Sequence, residues 1–237
     1  MSVDLRVDWC SYEAAKYAVK HWHYSRTMPT GKTAKIGVWE NDSFVGAVLF
    51  SWGSNRHIGS EFGLTMMQAC ELVRVALMAH KAQTSRIVAK SINLLKQKSP
   101  GVRLVVSLAD PYCGHVGTLY QAGNWLYTGY ASGDKRVQRY ERNGVIRHWR
   151  TVAQELHDKG LTSTEKDASR LGYKPLGHVP KHRYLYPLDR AIRKQIEPLR
   201  KPYPKRETCG PSVEGDTLPQ AESSVRSAGA ALNSDLL

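Results

Sequence analysis

The sequence of 237 residues has no CxxC pair, no apolar run near the ~20 residues a membrane-spanning helix needs, and no basic-then-apolar leader in its opening MSVDLRVDWC. Each absence removes a class of protein. Cys10, Cys70, Cys113 and Cys209 are scattered, which excludes a zinc knuckle or a disulfide framework and fits a reducing compartment. Without a span or a signal peptide, the chain reads as a soluble globular protein, neither membrane-bound nor secreted. A hydrophobic fraction of 41% agrees with that, and the length suits one well-cored domain with room for an appendage. What is present in excess is positive charge, at a formal +13. Clustered Lys and Arg displace counterions from phosphates, so a polyanion, nucleic acid first, is the expected partner.

Along the chain, Ser11 is a cap for a helix over 12–22, with Glu13 in its first turn and Ala15, Val19 and Trp22 on its buried face. AKIGVWE (34–40) and FVGAVLFSW (44–52) read as a hairpin turned at Asn41-Asp42-Ser43. CELVRVALMA (70–79) is a further apolar run, followed by a helix over about 85–98 that closes at Pro100-Gly101. VRLVVSLAD (102–110) reads as a strand buried on both faces. HVGTLYQAGN then reads as a short helix and WLYTGYA as another strand. This order predicts a mixed α/β sheet flanked by helices, with at least one βαβ crossover. The pattern weakens from 133 to 180, although GVIRHWRTVAQELHDKG fits a strand leading into a helix. Residues 1–180 are expected to form the catalytic domain and 181–206 a basic extension packed on that domain or on DNA. From Glu207 onward, Ser, Gly, Ala, Pro and acids predict a disordered tail.

Two segments resemble the GNAT acyltransferase superfamily: ELVRVALMAHKAQTSRIVAKSINLL (71–95) and VVSLADPYCGHVGTLYQAGNWLYTG (105–129), whose LYQAGNW is similar to the end of that fold's fourth helix. Taken whole, from DLRVDWCSYEAAKYAVKHWHYS through SWGSNRHIGSEFG to KHRYLYPLDRAIRKQIEPL, the chain resembles the Mom proteins of Mu-like phages. The resemblance covers roughly 4–130 and 180–205. It implies a GNAT-like fold and conversion of adenine in phage DNA to N6-(carbamoylmethyl)adenine. That modification shields the genome from restriction in the cytoplasm of the infected bacterial host.

A group-transfer site needs a cradle for the donor, and a helix starting near Ser85 offers free N–H groups, with Thr84 or Ser85 as its cap and Lys81, Arg86 and Arg74 as nearby charges. The loop AHKAQTS (79–85), however, has no glycine to bring backbone close to a pyrophosphate, which sets it apart from the superfamily's pattern and speaks against coenzyme A. Tyr120 matches the superfamily's tyrosine acid. Asp110 sits at the carboxyl edge of its strand, where α/β sheets place ligands, to orient an imidazole or take a proton, or simply to open a turn with Pro111. Ser107 is expected as a hydrogen-bond donor to substrate.

In HWHYS (21–25), helical residues two apart point about 200° from each other, whereas extended ones share a face. The helix is expected to persist through Trp22, so one histidine, His21 or His23, faces the site beside Tyr24 in an acid–base role. Iron or another metal stays open for this family, but His21 and His23 without a carboxylate make a poor ligand set. Trp22, Tyr24, Trp52 and Trp125 are candidate stacking faces for a flipped or single-stranded adenine. Arg56 lies in a loop that suits the nucleotide, and Lys181, Arg183, Arg190, Arg193 and Lys194 suit phosphates.

The donor follows from atom counting. Acetyl-CoA gives an acetyl group that lacks the product's nitrogen. A glycyl group gives an isomer of the product, so glycyl-tRNA or another activated glycine is the favoured donor and tRNA a second partner. A conventional acetyltransferase using acetyl-CoA and a non-catalytic DNA-binding protein are the competing readings.

Overall fold

The computed structural model describes residues 3–52, 57–111, 114–131, 139–177 and 180–205. Arg56 and the expected tail from Glu207 lie outside the described residues.

The Ser11 hydroxyl accepts the Ala14 N–H at 3.1 Å and starts α1 (Tyr12–Trp22), which buries Ala15, Ala18 and Val19. β2 (Thr33–Glu40) and β3 (Ser43–Ser51) form the expected hairpin. Asn41 and Asp42 turn it at positive φ, 48° and 64°, which these two residue types tolerate. β4 (Ala69–Leu77), α2 (Thr84–Lys98) and β5 (Leu104–Ala109) form a βαβ unit with parallel strands. α3 (Thr118–Ala122) and β6 (Leu126–Tyr130) follow.

Two strands of the large sheet were not expected. β1 (Leu5–Trp9) adds to the edge of β2, and β10 (His182–Pro187) lies between β5 and β6, antiparallel to both. The seven-stranded order is therefore β1-β2-β3-β4-β5-β10-β6. The stretch read as a basic extension from 181 thus begins inside the sheet, with Tyr184 and Leu185 buried. Its basic side chains hid a strand whose alternate residues fill the core. The stretch continues as α6 (Arg190–Ile196), capped by the Asp189 carboxylate on the Ile192 N–H at 2.9 Å.

Successive residues of β5 serve different layers, as a strand's alternation requires. Val105 joins the core under α2 with Ile36, Val38, Phe50, Ile87, Ile92 and Leu95. Leu104 and Val106 join a second cluster with Leu185, Ile192 and Ile196, under α6. α1 covers Ala47, Leu49 and Ala76 on the other half of the sheet. Full burial of each large aliphatic side chain contributes about 1.5–3 kcal/mol. β4 and β5 pair only from Ala69 with Leu104 to Glu71 with Val106, and beyond that point the two strands part. This splay opens the sheet between its two halves.

Residues 139–177 build a smaller unit. β7 (Arg139–Arg142), β8 (Val145–His148) and β9 (Lys174–Pro175) form a sheet in the order β8-β7-β9. α4 (Trp149–Asp158) and α5 (Glu165–Arg170) pack on it through Tyr140, Val152, Leu156, Ala168 and Tyr173. The strand-into-helix reading of GVIRHWRTVAQELHDKG holds. Among the described residues, no helix is long and apolar enough to cross a membrane.

Candidate active site

α1 ends at Trp22 and the chain turns extended at His23, with φ −111° and ψ 134°. The two histidines of HWHYS therefore part company. His21 stays on the helix, exposed, against the Tyr17 ring at 4.3 Å, while His23 is buried. Its Nδ1 accepts the Ser25 N–H at 3.1 Å and lies 2.8 Å from the Ser25 hydroxyl. A backbone N–H can only donate, so in the neutral ring the proton sits on Nε2. Burial, with Arg74 and His115 nearby, drives the His23 pKa down to about 4. At neutral pH it is an uncharged imidazole presenting an Nε2–H donor.

Around it gather groups from three elements. The exposed Tyr24 ring lies 4.3 Å from His23 and 5.4 Å from His115, which precedes α3. Arg74 follows a bulge in β4, where Leu49 pairs with Arg74 and the next pair is Phe50 with Leu72. Bulges re-aim side chains. Here the guanidinium donates to the Thr27 carbonyl at 3.1 Å and the Val73 carbonyl at 2.7 Å, tying the segment after α1 to the splay. Glu71, where the strands begin to part, sits close enough to Arg74 and Tyr120 to bear on both their pKa values.

Tyr120 enters from α3, its phenol 2.7 Å from Ser107 Oγ. The Ser107 hydroxyl also bonds the Leu72 carbonyl across the splay at 3.0 Å. A carbonyl only accepts, so the single Ser107 proton goes there and Tyr120 donates to Ser107. Ser107 thus spends its proton on bridging β5 and β4. Burial, partly offset by the Ser107 bond, pushes the Tyr120 pKa up to about 12.

The loop before α2 differs from expectation. Gln83 is the cap residue and contributes no side-chain bond, so neither Thr84 nor Ser85 caps. Thr84 instead meets His80 Nε2 at 3.0 Å. The N–H groups of Lys81 and Ala82 point at the buried Glu40 carboxylate, at 2.9 and 2.7 Å. Burial would raise the Glu40 pKa, but those two N–H groups, with His80 and Lys81, hold it below the usual range. Two backbone donors of this loop, those of Lys81 and Ala82, are therefore occupied by an internal anion. The Lys81 and Arg86 side chains are exposed.

Asp110, buried at the end of β5, is bound by Arg139 of β7, with Lys181 at 3.9 Å. Burial and the same two cations push the His148 pKa down to about 4. Arg183 donates to Glu61 and, at 2.8 Å, to Thr128. Lys181 and Arg183, expected on phosphates, thus have carboxylate partners inside the fold. Because β10 runs antiparallel to β5, Lys181 stands at the Asp110 end and the exposed Arg190, Arg193 and Lys194 beyond the opposite end. The five cations form no single row.

Of the four proposed stacking faces, Trp52 and Trp125 are buried and Trp22 packs on Phe44. Tyr24, 62% exposed, is the face that solvent reaches. Among the described residues, no three of His, Cys, Asp and Glu converge to hold a metal. His23 turns its Nδ1 toward Ser25. Sequence reasoning missed His115 and gave Glu71 only a structural role. The one signal for His115 was its place five residues after Asp110, in a segment read as helix.

A mixed sheet parted between two parallel strands, with a neutral imidazole, an exposed aromatic face, an arginine and a phenol around the gap, is the candidate site. Residues 4–205 match the Mom protein family, and the chain belongs to it. It is 26% identical over 132 residues to the protein named methylcarbamoylase mom of Escherichia phage Mu, an alignment covering 54% of this chain and 55% of that protein. The match thus spans about half the length of that relative. The family and this relative support a role in phage DNA modification.

Proposed function

We propose that this protein converts adenine in DNA to N6-(carbamoylmethyl)adenine on a GNAT-like scaffold, in the cytoplasm of an infected bacterium, and so protects phage DNA from restriction. Membership of the Mom family supports the substrate. The splay between β4 and β5, lined from both sides by proton donors, is the observation that carries the site.

The donor is an activated glycine, glycyl-tRNA by preference. Glu40 already fills the backbone N–H groups of Lys81 and Ala82, which favours this donor over acetyl-CoA with its pyrophosphate. Adenine N6 attacks the glycyl ester carbonyl, the C–O bond to the tRNA ribose breaks, and N6-glycyladenine forms. The glycyl amine then attacks C6 through a five-membered spiro intermediate and expels the original N6 as the amide nitrogen. The product carries C6–NH–CH2–CO–NH2, every atom is accounted for, and no oxidant is needed.

In this scheme the His23 Nε2–H and Arg74 stabilise the oxyanion at the glycyl carbonyl. Tyr24 stacks on the extruded adenine. Tyr120, a weak acid by virtue of its burial, exchanges Ser107 for the leaving ribose oxygen and protonates it. Asp110 acts by anchoring Arg139, with the His148 imidazole close enough to feel its charge.

Nucleoside mass spectrometry on plasmid DNA from bacteria expressing the protein tests the activity. An adenosine heavier by one carbamoylmethyl group is expected, strongly reduced with Tyr120→Phe. Labelling adenine N6 with heavy nitrogen tests the route. The label is expected in the carboxamide, and label retained on the purine sinks glycyl transfer.

A further inference from the structure

The β7–β8 hairpin has an apolar tip that nothing in the described fold covers. Val145 is 51% exposed and Ile146 54% exposed. Successive strand residues point to opposite faces, so the Val145–Ile146 end of β8 is bare on both faces. The turn at Asn143-Gly144, with φ of 53° and 78°, is the tight two-residue kind that keeps such a tip narrow. The Glu141 carboxylate stiffens it by accepting the Gly144 N–H at 2.6 Å.

The hairpin is held by its base. Arg139 pairs with His148 across the hairpin, and Arg139 also grips Asp110 at the end of β5. The base of the hairpin is therefore tied to the end of the sheet toward which the splay opens, and its tip lies about 10 Å along the strand from Arg139, three residues at ~3.3 Å each. The surroundings are cationic. Residues 139–150 hold Arg139, Arg142, Arg147 and Arg150 against the single acid Glu141. Arg142, Arg147 and Lys159 share one carboxylate, Glu155, which leaves the neighbourhood net positive.

An exposed aliphatic tip ringed by arginines is a poor fit to solvent and a good fit to a base stack flanked by phosphates. Building on the reading that adenine in duplex DNA is the substrate, we propose that this hairpin is the wedge that opens the duplex. Val145 and Ile146 enter the gap left by the extruded adenine, while the exposed Arg150 contacts a flanking phosphate and the other arginines supply a positive field. Residues 139–148 would then be the part of the protein that makes a paired adenine reachable, and Tyr24 the part that receives it.

The test uses the full chain with Val145→Ser and Ile146→Ser combined, and with Val145→Leu and Ile146→Leu combined. Modified adenine in plasmid DNA is measured for each. Fluorescence is followed on duplexes that carry 2-aminopurine in place of an adenine the wild type modifies. The Ser pair should lower plasmid modification at least tenfold and abolish the fluorescence rise, yet bind a duplex with a bulged, already unpaired adenine within twofold of wild type. The Leu pair should keep most of the activity. Full plasmid modification by the Ser pair overturns the wedge and leaves the tip to a protein partner. Equal loss of binding to paired and bulged duplexes also overturns it, because the tip would then be a general contact. Unmodified plasmid with the wild type overturns the underlying activity itself.

Discussion

The seven-stranded sheet and the small unit of residues 139–177 are held together by different physics. Phe50, Ile36, Leu49 and Leu104 of the large sheet, and Leu95 of α2 packed on it, are among the fully buried side chains, and all are apolar. The small unit has a core of five buried residues organised around a charge. Its Glu155 carboxylate receives Tyr173 at 2.5 Å, Arg142 at 2.9 Å, Arg147 at 3.3 Å and Lys159 at 3.5 Å. A short segment with little apolar surface has to buy its order with directional contacts, whereas the large sheet gets order from volume. Directional contacts are removable one proton or one side chain at a time.

The strongest test of that contrast is Phe50→Ala, which should cost about 3–5 kcal/mol and lower the melting temperature of the whole sheet. Glu155→Ala comes next. Removing the shared carboxylate strands two arginines and a lysine, and should cost about 3 kcal/mol within 139–177 alone. Hydrogen exchange should speed up there and stay unchanged in β2 to β5. If both regions open together, they are one cooperative unit and the contrast fails. Acid should do the same more gently. The Tyr173 phenol first, then Arg142 and Lys159, hold the Glu155 pKa at about 2 against burial, from an ordinary 4.5. A depressed carboxylate contributes its full stabilisation above pH 4.5 and loses it as pH falls toward 2. Near-ultraviolet dichroism of Tyr140 and Tyr173 should therefore fade over that window before the large sheet melts. The smallest effect on stability belongs to Tyr24→Ala, within about 0.5 kcal/mol for so exposed a ring. The same variant should lose most adenine modification, which would separate the site from the scaffold.

Much of the large sheet was legible because its elements announce themselves locally. Ser11 and Glu13 start α1, Asn41-Asp42 turn the hairpin, and the apolar run of β5 reads as a strand with both faces covered. β1 escaped because LRVDW buries only Leu5. β10 escaped because Lys181, Arg183 and Arg190 dominate its neighbourhood, and their charge masked the buried Tyr184 and Leu185. The site was legible in part. HWHYS was rightly split at Trp22, and Tyr120 and Ser107 do meet at the splay. Their proton accounting was not legible, since it depends on the Leu72 carbonyl and the Ser25 N–H, which only the fold brings near. Nor does a linear sequence reveal that Glu40 would fill the backbone of a loop 41 residues away.

The place of β10 also sets a timetable for the protein's birth. On the ribosome, β1 to β5 can zip together once the first ~110 residues have emerged, each strand meeting a partner already made. β6 cannot join them, because the lane beside β5 belongs to a strand synthesised more than fifty residues later. Until residue 187 clears the exit tunnel, the nascent chain carries an open sheet edge at β5 and an orphaned β6. Such long-range closure is slow and exposes a sticky edge. Codon usage and chaperone access over residues 131–180 should therefore govern the yield of folded protein more than any change within α1 or α2.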